Sequence, residues 1–162
     1  MARVDSGSEH ARGHVGAAAS REDDEAILPA LVDHPPVVPS FGYRFDAHDR
    51  SIVISGDTAP SDNLVRLARG ADVLVHAVMY PAAIDRLVGR VPNAARLKES
   101  ILAHQTSAED AGRIAQAAGV KTLVLSHLVP ADDPQITERM WVEAAQSRFH
   151  GKVILGRDLL EI

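Results

Sequence analysis

The run Ser51-Ile52-Val53-Ile54-Ser55 stops abruptly at Gly56-Asp57-Thr58, and this stop constrains the chain more than any other stretch. A short β-branched apolar run bounded by turn residues reads as a buried strand. Gly56 lets the backbone bend sharply, and Thr58 or Ser61 can cap the helix marked by Leu64, Leu67 and Ala68. Asp57 is then left at the carboxyl edge of the strand, where open α/β sheets bind their ligands. Taken alone, Asp57 reads first as an aspartate hydrogen-bonding its own turn. A second strand of the same design, Lys121 to His127, also ends on a metal-competent side chain. Two such strand ends favour a site over a turn.

The remaining elements follow in order. Residues 1 to 25 carry weak periodicity and many turn formers and read as a poorly ordered lead-in, leaving 26 to 162 as one domain. Ala26 to Val32 is an apolar run that Pro29 confines to an edge or irregular strand, and Asp33-His34-Pro35-Pro36 turns after it. His34 is thus a further strand-end histidine, read equally as a solvated turn residue. Ser40 to Asp46 alternates and pairs through the Ala47-His48-Asp49-Arg50 turn with the central strand, where His48 is solvated. Asp72 to Val78 follows a helix ended by Gly70, so the order strand, helix, strand predicts a right-handed crossover and parallel pairing.

Residues 82 to 103 read as two helices divided near Pro92. Thr106 and Glu109 form a capping box for the helix that Gly119 ends, which places His104 just outside a helix N-terminus. That helix leads to the Lys121–His127 strand. A last helix from about Gln135 to Phe149 is anchored by Trp141, which reads as core, and a last strand covers 151 to 156.

The balance of 17 Lys plus Arg against 22 Asp plus Glu, with no basic run, argues against broad electrostatic binding to nucleic acid but not against a small phosphate substrate. There is no cysteine, so a metal would have to be held by carboxylates and some of the eight histidines. No apolar h-region precedes residue 26, and no apolar span of about 18 residues exists. The expectation is a cytoplasmic protein with no membrane contact.

In this order, Val32-Asp33-His34, Phe41-Gly42-Tyr43-Arg44, Ser55-Gly56-Asp57-Thr58, Ala71 to His76, His104-Gln105-Thr106 and Leu123 to His127 resemble a known family. The chain is similar to the carboxyl-terminal half of the metallo-β-lactamase fold, in the ribonuclease Z and arylsulfatase-like phosphodiesterase branch. The resemblance implies an α/β architecture, half of an αββα sandwich, with a mixed sheet and flanking helices. It implies a hydrolase of phosphodiester or related ester bonds with a dinuclear site of zinc, or of manganese or iron. By the same resemblance His34 is a ligand of the first metal, Asp57 bridges both, and His127 is a ligand of the second. His104 matches a family histidine beside the scissile phosphate, placed to stabilise charge or to protonate the leaving oxygen. Two divalent ions roughly 3.5 to 4 Å apart can share one carboxylate and generate hydroxide at neutral pH.

The departures narrow the expectation. The HxHxDH run of the family's amino-terminal half is absent from these 162 residues. Ala77 stands where many relatives have Glu, and His127 is followed by Leu128-Val129-Pro130 rather than by Ser and Arg. The latter tilts the expectation toward arylsulfatase-like or cyclic phosphodiesterases acting on a small phosphate or sulfate ester. The acidic balance disfavours RNA. A second expectation belongs to another class: a non-catalytic remnant, or one component of a split enzyme that acts with a complementary HxHxDH chain or as a homo-oligomer.

Overall fold

The computed structural model describes residues 25 to 92 and 94 to 162, and the lead-in expected over residues 1 to 24 lies outside them. Six strands form one sheet in sequence order. They are β1 (Ala26–Val32), β2 (Ser40–Asp46), β3 (Ser51–Ile54), β4 (Val73–Met79), β5 (Thr122–Val129) and β6 (Lys152–Leu155). β1, β2 and β3 pair antiparallel as a meander, and β3 through β6 pair parallel, so the sheet is mixed as the sequence implied. Pro29 lies on the edge strand opposite Tyr43, where its missing N–H costs no interior ladder bond.

Three parallel steps run in one direction across the sheet, and the right-handed sense general to such crossovers brings their helices to one face. These helices are α1 (Asp62–Leu67), α4 (Ala108–Ala118) and α5 (Glu138–Gln146), with α2 (Ile84–Val88) and α3 (Leu97–His104) in the long β4–α4 connection. Val53, Leu74, Val78, Leu123 and Leu125 meet Leu64, Ile114, Ala115, Trp141 and Ala145 in one core beneath them. Trp141 is buried there and its ring meets Tyr80 edge-on at 5.3 Å between centroids, as core rather than ligand.

The opposite face carries Ile27, Leu31, Phe41, Tyr43, Phe45 and Ile54, each between 38% and 43% exposed. Their register makes them one patch: Ile27 stands opposite Phe45, Leu31 opposite Phe41 and Tyr43 opposite Ile54. A sheet whose two faces are both apolar is built to be covered on both.

At the amino-terminal ends of the parallel strands a single carboxylate ties three elements. Asp72 accepts from the Ser51 N–H at 2.7 Å, the Ser51 hydroxyl at 3.0 Å and Lys121 Nζ at 2.6 Å. Lys121 first, then the Ser51 bonds, hold its pKa down to about 2 from an ordinary 3.8. A carboxyl whose folded pKa is lowered stabilises the fold above its unfolded pKa and ceases to do so as pH falls through the folded one. The urea midpoint of Asp72→Asn is therefore expected to lie below wild type at pH 7, with the gap shrinking from about pH 4 toward pH 2. A gap independent of pH over that window would refute it.

Three helical expectations are corrected. The N-cap of α4 is Ser107, not Thr106: its hydroxyl accepts from the Asp110 N–H at 3.0 Å. His104 does not stand just ahead of a helix N-terminus but is the last residue of α3. The last helix is shorter than expected, with Thr137 as its N-cap accepting from the Met140 N–H. The Ser61 hydroxyl, at the N-cap position of α1, makes no capping bond.

Candidate functional site

The carboxyl edge of the sheet collects four side chains. His34 sits in the turn after β1, Asp57 in the bend after β3, His104 at the end of α3, and His127 within β5. The expectation that the Lys121 strand ends at His127 is corrected, because β5 continues to Val129. Ala77 pairs with Ser126 and Met79 with Val129, so β5 holds one residue more than β4 over this span. His127 lies in that bulge with φ of 43°, left-handed backbone that a histidine adopts at a cost and that re-aims its side chain. The result is a contact between its Nδ1 and Asp57 Oδ1 at 3.1 Å. Asp57 thus spends its carboxylate on His127 across the sheet edge.

The other two histidines form a second pair. His34 Nδ1 lies 3.0 Å from the His104 carbonyl oxygen, and the rings meet edge-on at 6.2 Å and 80°. A carbonyl only accepts, so His34 carries its proton on Nδ1 and leaves Nε2 as the free donor atom. A backbone acceptor on the far nitrogen is the usual way a metal-binding imidazole is oriented. The His104 Nδ1 meets the Ser100 hydroxyl at 3.2 Å.

Imidazole and carboxylate donors suit a divalent ion in kind. In number they fall short: among the described residues no group of three or more His, Cys, Asp or Glu comes together as a metal would need. His34, Asp57 and His127, expected to share one dinuclear centre, stand as an Asp57–His127 pair and a His34–His104 pair. Beside the first pair, Val75, Val124, Leu160 and Ile162 wall a cavity of about 270 Å³ that Ser126 and Arg157 also line.

No family model matches the chain. A putative ribonuclease Z of Mycobacterium tuberculosis (strain CDC 1551 / Oshkosh) is 39% identical over 137 residues, 85% of this chain and 58% of that protein. The ribonuclease Z of Mycobacterium avium (strain 104) is 38% identical over 148 residues, 91% of this chain and 50% of the relative. Among solved structures, the metallo-β-lactamase fold protein YhfI from Bacillus subtilis superposes with a TM-score of 0.62 at 20% identity, covering 82% of this chain and 47% of that one. This chain is a ribonuclease Z homologue with a metallo-β-lactamase fold. The short form of human tRNase Z shares the fold at a TM-score of 0.56 and 20% identity, covering 89% of this chain and 43% of that one.

The ribonuclease Z homologue spans about half the length of the curated relatives it matches. Its fold is the expected carboxyl-terminal half, a mixed sheet with flanking helices. The tilt toward the arylsulfatase-like branch, drawn from the residues after His127, finds no support, since these curated relatives are ribonuclease Z proteins. Divalent metals are general to the fold family, without a particular metal being indicated.

Three buried polar residues at this edge take roles that the sequence did not suggest. Thr58 and Thr106 are fully buried: Thr106 Oγ1 donates to the Thr58 carbonyl, and Thr58 Oγ1 accepts from the Asp33 N–H. His76, on β4 beneath the edge, is fully buried, and its Nε2 has no partner among the described residues. Alternation along β4 gives the signal for His76: Leu74, His76 and Val78 share the helix-covered face.

Proposed function

We propose that this chain supplies the carboxyl-terminal half of a metal-dependent phosphodiesterase site, with RNA phosphodiesters as substrate. The Asp57–His127 pair at the strand edge of a ribonuclease Z homologue carries the proposal. Asp57, His127 and the free Nε2 of His34 are the atoms that would hold divalent metal, zinc first and manganese or iron as alternatives. Such an ion, when bound, supplies an activated water and a positive charge for the phosphoryl oxygens. In this reading His104 gives a proton to the leaving oxygen, and the Ser100 hydroxyl at its Nδ1 supports that role by orienting the ring. The preference for RNA rests on the similarity to ribonuclease Z and replaces the small-ester preference drawn from the residues after His127 and the acidic balance.

A second reading is favoured by the exposed apolar face and by donors that come in pairs. The chain would then act as one component of a split enzyme, taking its remaining ligands from a segment with an HxHxDH run. Covering the Phe41, Tyr43 and Phe45 face would bring those ligands to the same edge.

Metal content by mass spectrometry after purification in zinc and manganese, with hydrolysis of a model RNA phosphodiester on the same sample, tests both. Near two metals per chain with turnover supports the first reading, and Asp57→Ala is then expected to lower metal affinity and turnover by about 100-fold each. Metal near zero and no turnover alone, with both restored by adding an HxHxDH half-domain, supports the second. No restoration removes both.

A further inference from the structure

The two loop pairs of the site are joined by a closed ring of bonds that runs through two threonines as well as through the His34–His104 contact. The Asp33 N–H donates to Thr58 Oγ1 at 3.1 Å. Thr106 Oγ1 donates to the Thr58 carbonyl at 2.6 Å. Two peptide units back along the chain, the His104 carbonyl accepts from His34 Nδ1, and His34 follows Asp33. Three hydrogen bonds and two short stretches of backbone therefore close a circuit through the β1–β2 turn, the β3–α1 bend and the α3–α4 connection.

Side branches brace it. The Thr58 hydroxyl proton goes to the Ala59 carbonyl at 2.6 Å, the Ala59 N–H donates to the Asp33 carbonyl at 2.7 Å, and the Met79 N–H donates to the Thr106 carbonyl at 2.8 Å. Both threonines are 0% exposed, so neither hydroxyl has water as a substitute partner.

We propose that Thr58 and Thr106 are positioning residues: their hydroxyls lock the three loops that carry His34, Asp57 and His104 into one cooperative unit. Each bond alone is modest, but a closed circuit means that opening one loop strains the other two. Loss of the Thr106 hydroxyl frees the Thr58 carbonyl, and the effect reaches His34 through the circuit although the Thr106 hydroxyl bonds to Thr58 and not to His34. The consequence for hydrolysis rests on the metal-site reading of His34 and Asp57, whereas the coupling itself stands or falls without metal or substrate.

Native-state amide exchange and histidine ¹⁵N spectra of the metal-free chain test it. In the wild type, the Asp33, Ala59 and Met79 amides are expected to exchange through one opening with a common free energy. In Thr106→Val, exchange at Asp33 and Ala59 is expected to rise about tenfold relative to the Leu74 and Leu123 amides. His34 is expected to lose its Nδ1–H tautomer in the same variant, and Thr106→Ser to restore both signals. An increase at Met79 with Asp33, Ala59 and the His34 tautomer unchanged would overturn the proposal. Should Thr106→Val fail to fold, three unequal wild-type openings overturn it as surely, and a common opening sustains it.

Discussion

Gly112→Ala is expected to destabilise the chain by about 3 kcal/mol, the upper end of the cost of overpacking. In an exposed helix the same change stabilises by roughly 1 kcal/mol through helix propensity, so the sign rests on what the new methyl meets. A Cβ at Gly112 overlaps the Ala145 carbonyl oxygen and comes within 3.0 Å of its carbonyl carbon. These are backbone atoms of α5, and no rotamer change can clear them. Relief requires α4 and α5 to separate over Ala111, Ala115 and Trp141, which loses burial along the whole contact. Gly119→Ala is the control. Gly119 has φ of 67° and open space about its Cβ position, so only conformational strain of about 1 kcal/mol is expected there. Urea unfolding of both variants gives the comparison, and equal losses would refute the steric account.

The stability of the chain is expected to fall by about 3 kcal/mol as pH drops from 6.5 to 4, because of His76. Burial pushes its pKa down to about 4 from an ordinary 6.5, opposed only by its bond to the Ala77 carbonyl at 2.7 Å. In this window the unfolded chain holds a proton on residue 76 that the folded chain refuses. Stability therefore rises with pH between 4 and 6.5 and is full above the unfolded pKa. The His76→Phe variant, lacking the titration, is expected to flatten this part of the urea-midpoint profile. If both proteins lose stability in parallel between pH 6.5 and 4.5, His76 is not the cause.

The parts of the fold that sequence reveals are those whose signals are local. β3, β4 and β5 are apolar runs cut off by turn residues, and their spacing across intervening helices implies parallel pairing, as observed. Local signals also bring His34 and Asp57 to the carboxyl edge. What they miss depends on partners far along the chain. His127 looks terminal because the strand is read only over Lys121 to His127, yet Met79 and Tyr80 extend the ladder past it and create the bulge. Thr106 and Ser107 are both N-cap residue types and the capping box favours Thr106, but its hydroxyl is taken by the Thr58 carbonyl, 48 residues away. The joining of Asp57 to His127 and of His34 to His104 has the same origin. Neither pair shares a local pattern, and each exists because the sheet places distant turns side by side.

Trp141 is the single tryptophan of the chain, and its place under α5 gives that helix an optical label of its own. Its indole is shielded from solvent and has Tyr80 at its edge, so emission should shift to longer wavelength when α5 leaves the sheet. Tyr80 absorbs where tyrosine donates excitation, and its separation from the indole sets the efficiency of that transfer. Detachment of one helix and collapse of the whole sheet would therefore carry different colours: the first changes emission while the far-ultraviolet signal of the strands persists, the second changes both together.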